Sequence, residues 1–284
     1  MSINTTINKW LEKADPDYYT FFIKSWIPYN AWYMHNFYDE DARPKRTNDR
    51  EIIDYVKGNS NYYKDRIKAL LYGSDSESVF FKSLISELHY QLEGNSIPNF
   101  DNRISFTNVC IEDNAKKNGP ETIRQTNFAV TGKHDTTSNL PKGTPKWIFE
   151  VIDAKGATIS RVSLMKCSLA ELRGNLDFQR LDRKYQSTME ECLNEIDPNK
   201  KTNIVISPEK KGKTYKQPSN SIVINEQKKL YFTDDLDKAS RALIQILYDL
   251  RCKLFHGEIE PTDQFMGVYE KAFQIQRILI KALK

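Results

Sequence analysis

The chain has 284 residues, of which 39% are hydrophobic, 12% aromatic and 28% charged, with a formal net charge of +4 at pH 7. That length allows one large domain or two ordinary ones, and its 15 Tyr and 14 Phe offset the chain entropy that keeps weakly hydrophobic sequences disordered. So small a net charge sets up no global field that demands a nucleic acid or a membrane, and any basic site must be local.

In chain order, "MSINTTINKWLEKADPDYY" lacks the basic-then-apolar order of a signal peptide, and no run approaches the length of a membrane span. Cys110, Cys167, Cys192 and Cys252 are widely spaced, with no CxxC pair. They point to neither a zinc site nor a disulfide framework, and free thiols fit a reducing compartment. The expectation is a cytoplasmic protein with no membrane partner, no bound metal and no cofactor.

The first strong element is "ADPDYYTFFIKSWIPYNAWYMHNFY", where Asp15 can cap a helix and Pro16 suits its first position. Phe22, Ile23, Trp26, Ile27, Tyr33, Met34 and Phe37 form one wide stripe at helical spacing. Pro28 should bend or locally break that helix. Asn30 falls on the stripe among aromatics and must find partners, since an amide buried unpaired costs about 1–3 kcal/mol. Amphipathic pieces follow around Asp49–Lys57 and Tyr62–Tyr72, with Gly58 and Gly73 as stops, and "SVFFKSLISELHYQLEG" closes the block at Gly94.

From about Ser96 the texture is short runs of β-branched and aromatic residues, with "DAKG" as a hairpin turn. A helix is expected over Leu176–Ile196, then brief strands at "NIVI" and "SIVI". The Lys-rich "SPEKKGKTYKQPSN" between those strands reads as a mobile loop. Helix resumes after "FTDDLDKAS", with Leu236, Ala239, Ala242, Leu243, Ile246, Leu247, Leu250 and Leu254 on one face, and repeats over Thr262 to Leu283. The economical architecture is mainly α: a helical bundle from 1–94 plus 234–284, interrupted by an α+β insertion at 95–233.

Between the last two helical stretches stands "LRCKLFHGEIEP". Arg251 and His256 are five positions apart, which in a straight helix turns one about 140° from the other. They converge only if the helix frays or tightens at His256, or if a second copy brings them together. Their plainest role is to complement the dipole of a helix C-terminus.

The stretch "LYDLRCKLFHG", with Arg, four residues, then His, resembles the signature of the HEPN superfamily of α-helical bundles. "FFIKSWIPYNAWY" is similar to the aromatic first helix of many bacterial members, and the terminal amphipathic helix fits as well. The resemblance covers the two helical blocks. It implies a metal-independent endoribonuclease acting as a homodimer with a composite cleft, a toxin or anti-phage effector with a possible antitoxin or other regulatory partner. His256 would be the acid–base group and Arg251 would stabilise charge on the phosphate, leaving 2′,3′-cyclic phosphate and 5′-hydroxyl ends. An imidazole gives or takes a proton near neutral pH, and a guanidinium fork matches two phosphate oxygens. RNA supplies its own nucleophile, so no catalytic Ser or Cys is required. Two positions depart from the pattern: Cys252 stands where many members carry Asn, and Glu258 where members regulated by an adenylyltransferase partner carry Tyr.

Lys253 can touch RNA phosphate or be a solvated helix residue, and Asn30 can line the cleft or make a buried structural bond. Lys200, Lys201, Lys210, Lys211, Lys213 and Lys216 can track a backbone with Tyr215 stacking a base, or solvate a loop. His35, His89 and His134 have no partners at ligand spacing. The rival reading is a non-catalytic binding or scaffold protein of the same fold, using Arg251 and His256 for dimerisation or nucleotide binding. A third reading makes the bundle a dimerisation platform for a functional insertion.

Overall fold

The aromatic stretch after Asp17 forms a helix because its bulky residues repeat at three- and four-residue steps. In the computed structural model, which describes residues 17–99, 102–111, 120–135, 141, 143–197, 200–211 and 214–283, that helix is α1 (Tyr18–Phe37). Then come α2 (Asp49–Gly58), α3 (Tyr62–Tyr72), α4 (Ser76–Asn95), β1 (Pro98–Asn99), β2 (Asn102–Arg103), β3 (Glu121–Arg124), β4 (Phe128–His134), β5 (Trp147–Asp153) and β6 (Thr158–Leu164). The chain continues through α5 (Leu169–Gly174), α6 (Leu176–Gln179), α7 (Arg183–Ile196), β7 (Val205–Ile206), β8 (Glu209–Lys211), β9 (Thr214–Lys216), β10 (Ser221–Asn225) and β11 (Leu230–Thr233). It ends with α8 (Leu236–Phe255) and α9 (Asp263–Ile280). The fold is α-rich with antiparallel sheets, and no helix among the described residues is long and apolar enough to cross a membrane.

Local chemistry accounts for the helix limits. Asp17 caps α1 by accepting from the Thr20 amide, while Asp15 and Pro16 lie outside the described residues. Asn48 and Glu51 close a reciprocal capping box on α2. The buried face of α1 is Tyr19, Phe22, Trp26, Tyr29 and Tyr33, so the stripe takes in Tyr29 and leaves Ile27 61% exposed. Pro28 does not end the helix, whose aromatic residues on both sides of it are anchored in the core. Gly94 does not end α4, which continues to Asn95 and stops at Ser96 with φ 43 in the left-handed region.

The chain divides into two compact units, Met1–Ile111 with Thr202–Lys284, and Glu112–Lys201. In the first, α9 packs on α1 and α4, α3 on α4 and α8, and α2 on α1 and α8. The boundaries differ from 94/95 and 233/234 because Ile97, Ile104, Phe106, Val109, Ile111, Ile204, Ile222, Ile224, Leu230 and Phe232 all bury their side chains in the bundle's core. Strands as short as these cannot bury enough surface alone, and the three-stranded antiparallel sheet β10-β11-β7 shares that core instead. The Lys-rich segment is ordered as a β8–β9 hairpin, with Lys210 opposite Tyr215. Lys213 lies outside the described residues.

In the second unit the antiparallel meander β3-β4-β5-β6 packs α7 across β4 and β3. Val130, Phe149, Val151, Val162 and Leu164 meet Met189, Cys192, Leu193 and Ile196 in a separate core. Asp153 shapes the expected turn by accepting from the amides of Lys155 and Ala157 at 2.8 Å each, with Gly156 at φ +87. The helix expected over Leu176–Ile196 is split into α6 and α7, because a turn from Leu181 N–H to Phe178 C=O breaks it. Gly132 lets α7 approach the sheet: a Cβ there would lie 2.9 Å from Phe149 and 3.0 Å from both Cys192 and Ile196. Gly132→Ala is therefore expected to destabilise this unit by about 1–3 kcal/mol, read from its urea midpoint. An unchanged midpoint would mean that α7 can lift off the strand freely.

Candidate functional site

The middle of α8 is buried on nearly every side from Ala239 to Leu250, so its last turn is where polar groups reach solvent. That turn closes in a Schellman motif: the Gly257 amide donates to the Leu254 carbonyl at 3.2 Å and the Glu258 amide to the Lys253 carbonyl at 2.9 Å. Gly257 sits at φ +65, which a side chain would strain. The motif also brings Glu258 against Lys253, and the two form an ion pair. His256 is the C-cap, at φ −86 and ψ 1, with its side chain exposed.

Arg251 points elsewhere. Its Nη2 donates to Asp49 Oδ2 at 2.6 Å, and its guanidinium lies 4.4 Å over the Phe255 ring. Asp49, the first residue of α2, also accepts at Oδ1 from the Tyr33 hydroxyl at 2.9 Å and from Asn30 Nδ2 at 3.2 Å. Asn30 hydrogen-bonds Tyr33 as well, so its amide on the aromatic stripe is satisfied. Burial, reinforced by Asp49, pushes the Tyr33 phenol up to about 12, which keeps it a proton donor to the carboxylate.

His256 instead lines a cleft of about 600 Å³ whose walls include Arg50, Asn99, Tyr248, Asp249, Cys252 and Lys253, but not Arg251. The four residues singled out from the sequence thus fall into two groups. Arg251 and Asn30 meet at Asp49, while His256 and Lys253 share the cleft.

Behind the cleft runs a polar network that periodicity did not reveal. Asp54 Oδ2 accepts from Arg50 Nε at 3.1 Å and its Oδ1 pairs with Lys57 at 2.6 Å. Lys57 donates to Gln245, Gln245 donates to Asp249 Oδ1 at 2.7 Å, and Asn99 donates to Asp249 Oδ2 at 3.1 Å. Burial pushes the Asp249 carboxyl up to about 6, while the Gln245 hydrogen bond and the charges of Lys57 and Arg50 pull it part of the way back. One signal was available: Asp249 is an acid set between apolar helical residues.

A carboxyl raised in this way binds its proton more tightly in the folded chain than in the unfolded one. Stability therefore falls as pH rises from about 4 to about 6, by about 3 kcal/mol in total. Asp249→Asn removes the ionisation but matches two donors less well. The variant is expected to gain about 1–2 kcal/mol on the wild type at pH 7 and to lose about 1 kcal/mol against it at pH 4, in urea titrations at both pH values. A difference independent of pH would rule this linkage out.

The remaining polar candidates are engaged or scattered. Lys200 pairs with Glu195 at 2.8 Å, and Lys229 lies 4.3 Å over the Tyr215 ring. His35 is exposed, His89 is buried against Phe106, and His134 stacks on Trp147 at 4.2 Å. Cys252 is half-buried, with its sulfur 3.9 Å from Arg251 Nη1. Among the described residues no group of three or more His, Cys, Asp or Glu is placed to hold a metal ion. Compared with protein-family models, curated proteins and solved structures, the chain matches none.

Proposed function

We propose that the protein is a HEPN-like endoribonuclease, a homodimer acting in the cytoplasm as a toxin or anti-phage effector under a regulatory partner. The observation that carries this reading is the exposed side chain of His256, whose backbone is set by a Schellman turn, in the wall of a cleft large enough for a nucleotide. His256 takes the proton of the ribose 2′-hydroxyl as its oxygen bonds to phosphorus, or delivers a proton to the 5′-oxygen as the phosphorus–oxygen bond breaks. Arg251, oriented by Asp49, is the second cation of the site and reaches the phosphate in the composite cleft of two chains.

The test incubates the purified protein with cellular RNA in EDTA, beside Arg251→Ala and His256→Ala. Cleavage to cyclic-phosphate ends that both variants lose supports the reading, with molar mass by light scattering reporting the dimer. Cleavage that survives in both variants moves the site elsewhere. One observation favours the rival, a non-catalytic scaffold of the same fold: the Arg251 fork is committed to Asp49 within its own chain. Silence of the wild type on every class of RNA would decide for that rival.

A further inference from the structure

We infer that Arg50 is a further catalytic residue, the guanidinium that grips the phosphate from the same chain as His256. This rests on the nuclease reading and adds a residue that lies outside the Arg-x4-His pattern. Arg50 and His256 line one cleft, although they are far apart in sequence, one in the first turn of α2 and the other capping the end of α8.

The hydrogen bonds around Arg50 favour this role over that of the other cations. Its Nε is taken by Asp54, which fixes the plane of the guanidinium. Among the described residues neither Nη nitrogen has a hydrogen-bond acceptor, and the side chain is 53% exposed. A guanidinium held at Nε presents its two Nη groups as a parallel pair of donors, the geometry that fits two oxygens of one phosphate. Lys253, in the same wall, is paired with Glu258 and is a point charge with no such fork. Arg251 is only 16% exposed in its side chain and faces Asp49.

The acids near the cleft do not cancel the site. Asp54 pairs with Lys57 as well as with Arg50, Asp249 faces the charges of Lys57 and Arg50 with both its oxygens taken by Gln245 and Asn99, and Glu258 is neutralised by Lys253. The cleft therefore offers an anion one unsaturated fork and one imidazole. With a phosphate on the fork, charge that builds on its oxygens during 2′-oxygen attack is met by the two Nη donors, while His256 handles the proton.

The experiment measures Arg50→Ala and Arg50→Lys for cleavage of an RNA oligonucleotide and for binding of its uncleavable 2′-O-methyl counterpart. Arg50→Ala is expected to lower kcat/KM by about 100-fold with an unfolding midpoint close to the wild type's. Arg50→Lys should recover only a minor part of the loss, because a point charge cannot hold two oxygens at once. Wild-type kcat/KM in Arg50→Ala overturns the inference. A wild type that does not cleave sinks the nuclease reading, and Arg50 is then judged on the 2′-O-methyl oligonucleotide. About tenfold weaker binding by Arg50→Ala, with a salt dependence reduced by about one phosphate contact, sustains Arg50 as a phosphate ligand. Equal binding, or none by the wild type, overturns that too.

Discussion

Replacing Asp49 with alanine is expected to lower the unfolding free energy by about 3 kcal/mol. Three donors converge on this one carboxylate: Arg251 Nη2, the Tyr33 hydroxyl and Asn30 Nδ2. Without it the Arg251 guanidinium, 16% exposed, is left with no anion, and breaking a pair so sheltered costs about 3–5 kcal/mol. Asp49 is 30% exposed, so water enters part of the gap and the lower figure applies. Asp49→Asn keeps the shape and one acceptor oxygen, and should lose about half as much. Adding Arg251→Met to Asp49→Ala should restore most of the loss, since the uncompensated charge leaves with its side chain. Urea midpoints of the four proteins test this. If Asp49→Ala unfolds with the wild type, the ion pair does not organise the tip. The same variant separates positioning from chemistry: in the nuclease reading it loses activity well below its melting temperature because Arg251 is no longer held.

Much of the bundle was legible because burial in helices leaves a periodic trace. Ala239, Ala242, Leu243, Ile246, Leu247 and Leu250 are all buried in α8 as their spacing predicted. Asp235 caps that helix where the acidic run suggested a start. The limits of the insertion were not legible, since Phe106 and Phe232 sit in runs that read as strands whichever core receives them. The β8–β9 hairpin escaped because its Lys-rich composition resembles that of a loop, and backbone pairing does not require apolar residues. In the candidate site, the angular step put Arg251 and His256 on different sides of a straight helix, and their surroundings are Asp49 for the one and the cleft for the other. What it did not yield was the partner of each. Asp49 looks in sequence like one more first-turn acid on α2, and Arg50 beside it like a solvated helix residue. Adjacent positions on a helix point about 100° apart, and here that step sends Asp49 to Arg251 and Arg50 to the cleft of His256.

Asp237→Ala is expected to cost about 2–3 kcal/mol and to do so only above pH 4. The Lys64 side chain is 2% exposed, with its ammonium 2.7 Å from Asp237 Oδ1 and donating to the Lys57 carbonyl at 2.7 Å. Lys68 and Arg241 also pair with Asp237, at 2.8 and 2.7 Å. Burial pushes the Asp237 carboxyl up, but the Lys64 and Lys68 hydrogen bonds and the charges of Lys64 and Arg241 outweigh it and hold the group at about 2. The folded-state value is thus below the unfolded one, so the stabilisation is complete above about pH 4 and fades as pH falls toward 2. Removing one partner of a buried pair costs about 3–5 kcal/mol, and the 39% exposure of the Asp237 side chain trims that figure by screening. Urea titrations from pH 2 to pH 7 should show the variant converging on the wild type at the acid end. A gap that stays constant would show that the effect does not come from the ionisation of Asp237. The cluster matters to the site because Asp237 lies in the first turn of α8, Lys57 near the end of α2 and Lys64 in α3. One group of charges ties three helix ends together and fixes α8 along its axis. That fixes where, some four turns further on, Arg251 and His256 fall against the N-terminus of α2 that carries Asp49 and Arg50.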